Sequence, residues 1–78
     1  MDDVSADRFG QCLGRLVREA REAVGMTQVA VEREAALPGA TLAKMERGEM
    51  WDLPVHDLVR VAEVLNVDLT ALLPPREQ

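Results

Sequence analysis

Few side chains in this sequence have the type and spacing that catalysis or metal binding requires. The sole histidine, His56, is followed by Asp57, but no second histidine or paired cysteine lies at metal-ligand spacing. Cys12 is the single cysteine and has no histidine partner, so we expect it to pack in the core. The sequence also lacks a nucleophile–base pair and a glycine-rich phosphate loop. It therefore predicts a protein that is not an enzyme and has no metal or cofactor.

Three arginines could form an anion-binding edge, because Arg15, Arg18 and Arg21 recur every three residues along one side of a predicted helix. Two interpretations of this series are open. It is either a solvated face whose charges pair with Glu19 and Glu22, or an edge that contacts phosphate. In the second case Arg15 or Arg18 is the candidate contact.

The one tryptophan, Trp51, lies beside Met50 and Leu53 in an apolar cluster outside the regular helical pattern. A loop tryptophan of a small domain can fold back onto its own core. Alternatively, Trp51 is an exposed anchor for a dimer mate or another protein, because tryptophan is enriched at binding hot spots. The cluster is thus a candidate protein interface.

Length and composition describe one small acidic domain of 78 residues, with 9 basic and 14 acidic side chains and a net charge of −5. One cysteine cannot close an internal disulfide, and no apolar run is long enough to span a membrane. We therefore expect a cytoplasmic protein without membrane contact. The acids gather at both ends, whereas residues 8–24 carry four arginines against two glutamates, so a modestly basic face can exist in between.

Apolar residues recur at helical spacing along the chain, which predicts an all-α fold. The stripe of the first helix includes Phe9 and Val24, and Gly25 is a natural stop after it. Thr27 is a good N-cap for the second helix, and Asn66 follows the fourth where a left-handed cap is needed. The predicted helices cover residues 8–24, 28–35 and 39–46, a fourth that begins at Pro54, and a short last one at 69–73.

The predicted domain limits are an acidic N-terminal tail over residues 1–7, a folded domain over 8–73 and a C-terminal tail over 74–78. Near the end of the domain, Leu69, Leu72 and Leu73 either form a dimer contact or close the core.

Four runs of residues occur in an order that is familiar from one family. They are Gly14-Arg15-Leu16-Val17-Arg18-Glu19-Ala20-Arg21, Gly25-Met26-Thr27-Gln28, Met45-Glu46-Arg47-Gly48 and Val61-Ala62-Glu63-Val64-Leu65-Asn66-Val67. Together they resemble the Cro/repressor-type helix-turn-helix domain, also called the xenobiotic-response-element family, over about residues 12–73. The resemblance implies a compact five-helix bundle of the phage-repressor-like type, with the helix-turn-helix at about 27–47. It also implies a homodimer that places its third helix in the major groove of operator DNA.

The resemblance implies DNA contacts at seven positions. Gln28 would brace the second helix against the DNA backbone, and Arg47 stands where the family touches phosphate. The family often joins Arg21 and Glu46 in a structural ion pair, which we expect here. The recognition helix would present mostly small residues, namely Gly39, Ala40, Thr41, Ala43 and Lys44. Within that set, only the threonine and the lysine can hydrogen-bond a base or a phosphate, so the implied base readout is thin.

Three positions depart from the family pattern. Glu32 stands where the family has a small residue, so its carboxylate must reach solvent or find a partner. Ala36 stands at a turn where the family favours glycine, and a positive φ there would cost about 1 kcal/mol. Pro38 replaces the usual hydroxyl residue, which leaves the third helix without a side-chain N-cap.

Two functions remain open at this point. The resemblance implies a DNA-binding transcription regulator that acts as a homodimer by occlusion or recruitment at a promoter. The alternative is a protein-interaction module on the same scaffold, of the antirepressor, antitoxin or host-modulating type. The acidic balance, the bare third helix and an apolar surface of Val29, Met50 and Trp51 favour this alternative.

Overall fold

The computed structural model describes residues 3–50 and 54–74, and within these ranges the chain is helical without any strand. The predicted all-α fold is confirmed, although the last predicted helix is a 3-10 helix. The elements in chain order are α1 (Asp3–Ala23), α2 (Gln28–Glu34), α3 (Thr41–Glu46), α4 (Val55–Leu65) and the 3-10 helix (Leu69–Leu72).

The first helix begins five residues earlier than its apolar stripe predicts, at Asp3 instead of residue 8. The prediction that both ends of the stripe pack in the core is wrong, since Phe9 is 40% exposed and Val24 is 47% exposed. Val24 lies beyond the last residue of α1, and Gly25 then adopts a φ of +75°. The stop at Gly25 follows the prediction, because glycine adopts this left-handed backbone without a Cβ penalty.

The core is built from the faces of all five elements. Val31 of α2 and Leu72 of the 3-10 helix are both fully buried, so residues far apart in the sequence meet in one cluster. Burying each such side chain contributes about 1.5–3 kcal/mol relative to leaving it exposed. The cluster comprises Leu13, Val17, Val31, Ala35, Leu42, Met45, Leu58, Val61, Ala62, Leu65 and Leu72.

A close approach between two helices fixes the position of α3. Gly14 lies in the middle of α1, and a Cβ atom placed on it would stand 2.8 Å from the carbonyl oxygen of Glu46. Helix α1 can therefore pack against the end of α3 only because residue 14 has no side chain. This contact anchors the helix that the sequence predicts to read DNA.

Candidate nucleic-acid interface

The second helix begins with the predicted cap. The Thr27 hydroxyl accepts a hydrogen bond of 3.1 Å from the backbone N–H of Ala30, which satisfies one of the free donors of the first turn. Gln28, the first residue of α2, is half-buried, and its Nε2 donates to Oε1 of Glu46 at 2.9 Å. The start of α2 is thereby tied to the last residue of α3.

An ion pair joins α1 to the same end of α3. Nε and Nη2 of Arg21 donate to the two carboxylate oxygens of Glu46 at 2.7 and 3.0 Å, and Nη1 donates to the Met26 carbonyl at 2.8 Å. The Glu46 side chain is only 3% exposed, and its hydrogen bond raises the pKa of Arg21 above the ordinary value. The predicted structural ion pair is confirmed. Since Gln28 shares the Glu46 carboxylate, this pair also orients a residue that the sequence assigns to DNA.

The start of α3 differs from the prediction. The helix begins at Thr41, two residues later than expected, so Gly39 and Ala40 precede the recognition helix instead of forming its first turn. Ala40 occupies the N-cap position with a φ of +66° and offers no side-chain cap. The chain reaches it through a turn in which the Thr41 N–H donates to the Pro38 carbonyl at 3.2 Å.

A residue of α2 supplies the missing cap. Oε2 of Glu32 accepts a hydrogen bond of 2.7 Å from the backbone N–H of Leu42, within the first turn of α3. A carboxylate at this end of a helix also interacts favourably with the helix dipole. The sequence treats Glu32 and the uncapped third helix as separate departures, whereas in the structure the first compensates for the second. Only the contact between the two helices reveals this role of Glu32.

The end of α3 closes in a Schellman motif. Gly48 adopts a φ of +79°, its N–H donates to the Met45 carbonyl at 3.1 Å, and the Glu49 N–H donates to the Lys44 carbonyl at 3.0 Å. This arrangement brings Glu49 next to Arg47, whose Nε and Nη2 donate to the Glu49 carboxylate at 2.8 and 3.3 Å. The hydrogen bond from Arg47 lowers the pKa of Glu49, and the same bond raises the pKa of Arg47. Sequence reasoning missed Glu49, although an acid two residues after a predicted phosphate contact was a readable signal.

The remaining predicted DNA contacts differ in exposure. Lys44 is exposed on α3, whereas Thr41 and Ala43 are half-buried. Arg15 and Arg18 are exposed on α1, outside the α2–α3 pair, and Nη2 of Arg15 lies 3.9 Å from Sγ of Cys12. Three predicted contacts therefore lie at the end of α3. Lys44 is in its last turn, Arg47 is its C-cap, and Gln28 reaches this end through its hydrogen bond to Glu46.

The predicted protein interface is described only in part. Val29 is 60% exposed on α2, and Met50 is half-buried after the Schellman motif. Trp51 and Leu53 lie outside the described residues. Whether the three interface residues form one surface stays a prediction.

Within residues 3–50 and 54–74, no three of the described His, Cys, Asp or Glu side chains converge on one point. His56 lies 3.3 Å from the carboxylate of Asp57, and its own side chain is 69% exposed. Over the same ranges, no helix has both the length and the apolar character needed to cross a bilayer.

Comparison with known proteins places the chain in a family and a fold. The sequence model of the helix-turn-helix domain family matches residues 13–73. The restriction-modification controller protein C.AhdI from Aeromonas hydrophila superposes with a TM-score of 0.74 at 22% identity, over 80% of this chain and 92% of that one. At this level of identity the likeness concerns the fold alone. No curated protein sequence matches the chain.

A second likeness is to part of a larger protein. Hydroxypropylphosphonic acid epoxidase from S. wedmorenis matches with a TM-score of 0.76 at 32% identity, over 85% of this chain and 35% of that one. The iron(II) form of HppE in complex with substrate gives a TM-score of 0.77 at 32% identity, over 85% and 38% of the two chains. This chain thus spans little more than a third of the length of these proteins.

Proposed function

We propose that this chain, which belongs to the helix-turn-helix domain family, is a small DNA-binding transcription regulator that acts in the cytoplasm. The observation that carries the proposal is the group of polar side chains around the end of α3. There Gln28 is held by Glu46, while Lys44 and Arg47 are exposed. The fold likeness to a restriction-modification controller protein is consistent with this role.

The proposed mode of binding follows the family. Helix α3 enters the major groove, and a homodimer places two copies on half-sites about one helical turn apart. Phosphate contacts from Lys44 and Arg47 position the helix, whereas Thr41 is the side chain at the start of α3 that can reach a base edge. The proposal assigns the chain a binding role and no catalytic step.

The salt dependence of DNA binding tests this proposal. Fluorescence anisotropy of a labelled duplex pool of random sequence would give the affinity at several salt concentrations. We expect Lys44→Ala to reduce the slope of log affinity against log salt by about one, because each lost phosphate contact removes nearly one counterion. Arg60→Ala, which removes an exposed cation from α4, is the matched control and should leave the slope unchanged.

Two results would contradict the proposal. Absence of duplex binding at low salt would remove DNA as the partner. An equal loss of slope in Lys44→Ala and Arg60→Ala would show that α3 is not the contacting element.

A protein-interaction module is the second candidate function, and the exposed Val29 on α2 favours it. The likeness to part of the epoxidase chain adds that such a domain also occurs within a larger protein. If this function holds, Val29→Ser should reduce recovery of a stoichiometric protein partner in co-purification from the source cell. Val55→Ser, at a valine that is 69% exposed on α4, should leave recovery unchanged. Equal recovery with both variants would count against the alternative.

A further inference from the structure

The acidic residue Glu49 lies against the cations that α3 would offer to DNA. We propose that its carboxylate competes with DNA phosphate for Arg47 and so lowers the affinity of the domain for DNA. This inference rests on the proposed function, because it concerns the same surface.

The backbone holds Glu49 in this position. The Glu49 N–H donates to the Lys44 carbonyl at 3.0 Å, and Gly48 supplies the left-handed residue that turns the chain back over the helix end. The backbone hydrogen bond therefore fixes residue 49 to the end of α3. Its carboxylate needs no rearrangement to stay within reach of the Arg47 guanidinium.

The Arg47–Glu49 contact occupies the donors that a phosphate would use. Two nitrogens of the guanidinium donate to the two carboxylate oxygens at 2.8 and 3.3 Å. Arginine binds phosphate through the same pair of parallel N–H donors, so one guanidinium edge cannot serve both partners at once. A phosphate that reaches Arg47 by this edge must displace the carboxylate of Glu49.

The Glu49 carboxylate also changes the charge at the C-terminal end of α3. A negative side chain at the C-terminal end of a helix interacts unfavourably with the helix dipole, whereas Lys44 and Arg47 at the same end are favourable. Lys44 also attracts the Glu49 carboxylate, so the acid offsets both cations of this end of α3.

The expected size of the change in duplex affinity follows from the solvent exposure of the Arg47–Glu49 pair. The side chains of Arg47 and Glu49 are 56% and 53% exposed, so their pair is a solvent-screened one. Pairs of this kind correspond to a change of at most about fivefold in an equilibrium constant. Glu49→Gln should therefore raise the affinity for a duplex by up to about fivefold.

The test compares variants against a fluorescein-labelled duplex pool of random sequence, with thermal unfolding of each variant to show that it is folded. Glu49→Gln removes the charge and keeps the shape of the side chain. Glu63→Gln removes an exposed acid from the C-terminal end of α4 and is the matched control for net charge. Both substitutions are also made in an Arg47→Gln background, where the competition for the guanidinium no longer exists.

The expected result has two parts. Glu49→Gln raises the affinity more than Glu63→Gln does, and this advantage shrinks in the Arg47→Gln background. Equal gains for the two glutamate substitutions would overturn the inference, because net charge alone would then explain them. An undiminished gain without Arg47 would also overturn it, since Glu49 would then act by direct repulsion of phosphate. If none of the proteins binds the duplex, the proposed function fails together with the inference, which distinguishes that outcome from the other two.

Discussion

Two alanines at the ends of the turn between α2 and α3 adopt a backbone conformation that glycine prefers. Ala36 has a φ of +57° and Ala40 a φ of +66°. Hydrogen bonds hold the first of them in place, because the Leu37 N–H donates to the Glu32 carbonyl at 2.9 Å across a Schellman motif. A Cβ in this region costs about 1–2 kcal/mol per residue. The backbone of the turn is therefore strained at both alanines. The sequence predicts this strain at Ala36, where the family favours glycine.

Replacing Ala36 by glycine should relieve this strain. We expect Ala36→Gly to raise the free energy of unfolding by about 1 kcal/mol, since the gain in the folded state exceeds the entropy that glycine adds to the unfolded chain. Urea unfolding followed by circular dichroism would measure it. Ala43→Gly, inside α3, is the matched control and should lower the free energy of unfolding by about 1 kcal/mol. Equal losses in both variants would show that residue 36 is unstrained.

At the scale of elements, the two helices of the helix-turn-helix are joined by a cap that crosses between them. Glu32 of α2 holds the first turn of α3 through the Leu42 N–H, while Gln28 at the start of α2 holds Glu46 at the end of α3. Each helix is short, at seven and six residues, so neither would be stable alone in water. The pair behaves as one unit whose two ends are fixed by hydrogen bonds as well as by packing.

Removal of the crossing cap should loosen the start of α3. We expect Glu32→Ala to lower the free energy of unfolding by about 1–2 kcal/mol, because the Leu42 N–H loses its partner. Amide hydrogen exchange at Leu42 should accelerate beyond this global change. Glu34→Ala, which removes an exposed acid from the end of the same helix, is the control. Unchanged exchange at Leu42 would mean that the carboxylate does not cap α3.

Packing between α1 and α3 depends on the absence of one side chain. A Cβ at residue 14 would lie 2.8 Å from the Glu46 carbonyl oxygen, so Gly14→Ala must push the two helices apart. We expect a loss of about 1–3 kcal/mol in the free energy of unfolding, despite the better helix propensity of alanine. Gly39→Ala has no neighbour within 4 Å of the new Cβ and should leave stability nearly unchanged. Thermal unfolding compares the two, and similar melting temperatures would contradict the close approach.

For the whole molecule, the sequence predicts best those helix ends that are set by interactions within a single turn. The bounds of α2 and α4 agree with the sequence within about one residue, because the Thr27 cap and the left-handed Asn66 act within a single turn. The predicted start of α1 is wrong for a physical reason. The sequence predicts an acidic tail over residues 1–7, whereas α1 begins at Asp3, because acidic residues are favourable in the first turn of a helix.

The parts of the site that could not be predicted depend on contacts between elements. The sequence places Glu32 and the uncapped α3 ten residues apart, and only packing of α2 on α3 brings them within 2.7 Å. The pairing of Arg47 with Glu49 likewise follows from the left-handed turn at Gly48. Helical periodicity reports which face is apolar but not which polar groups meet across helices.

The 3-10 helix contributes to the core of the single chain. The alternative for the C-terminal leucines was a dimer contact or closure of the core, and Leu72 is fully buried within the single chain while Leu73 is 39% exposed. Because the 3-10 helix packs against both α1 and α4, loss of Leu72 opens a cavity between these elements. We expect Leu72→Ala to lower the free energy of unfolding by about 2–5 kcal/mol, whereas Leu73→Ala should change it by less than about 1 kcal/mol.

Protein concentration separates closure of the core from a dimer contact. Loss of a contact within one chain lowers the stability by the same amount at every concentration, whereas the effect of losing a leucine at a dimer interface changes with concentration. We therefore expect Leu72→Ala to lower the free energy of unfolding by the same amount at every protein concentration. Samples diluted over about a hundredfold range around micromolar concentration would show this. A loss that disappears on dilution would assign Leu72 to a subunit interface. At this size a loss of about 4 kcal/mol is comparable with the total stability of the domain, so the core of this chain needs its last turn to remain folded.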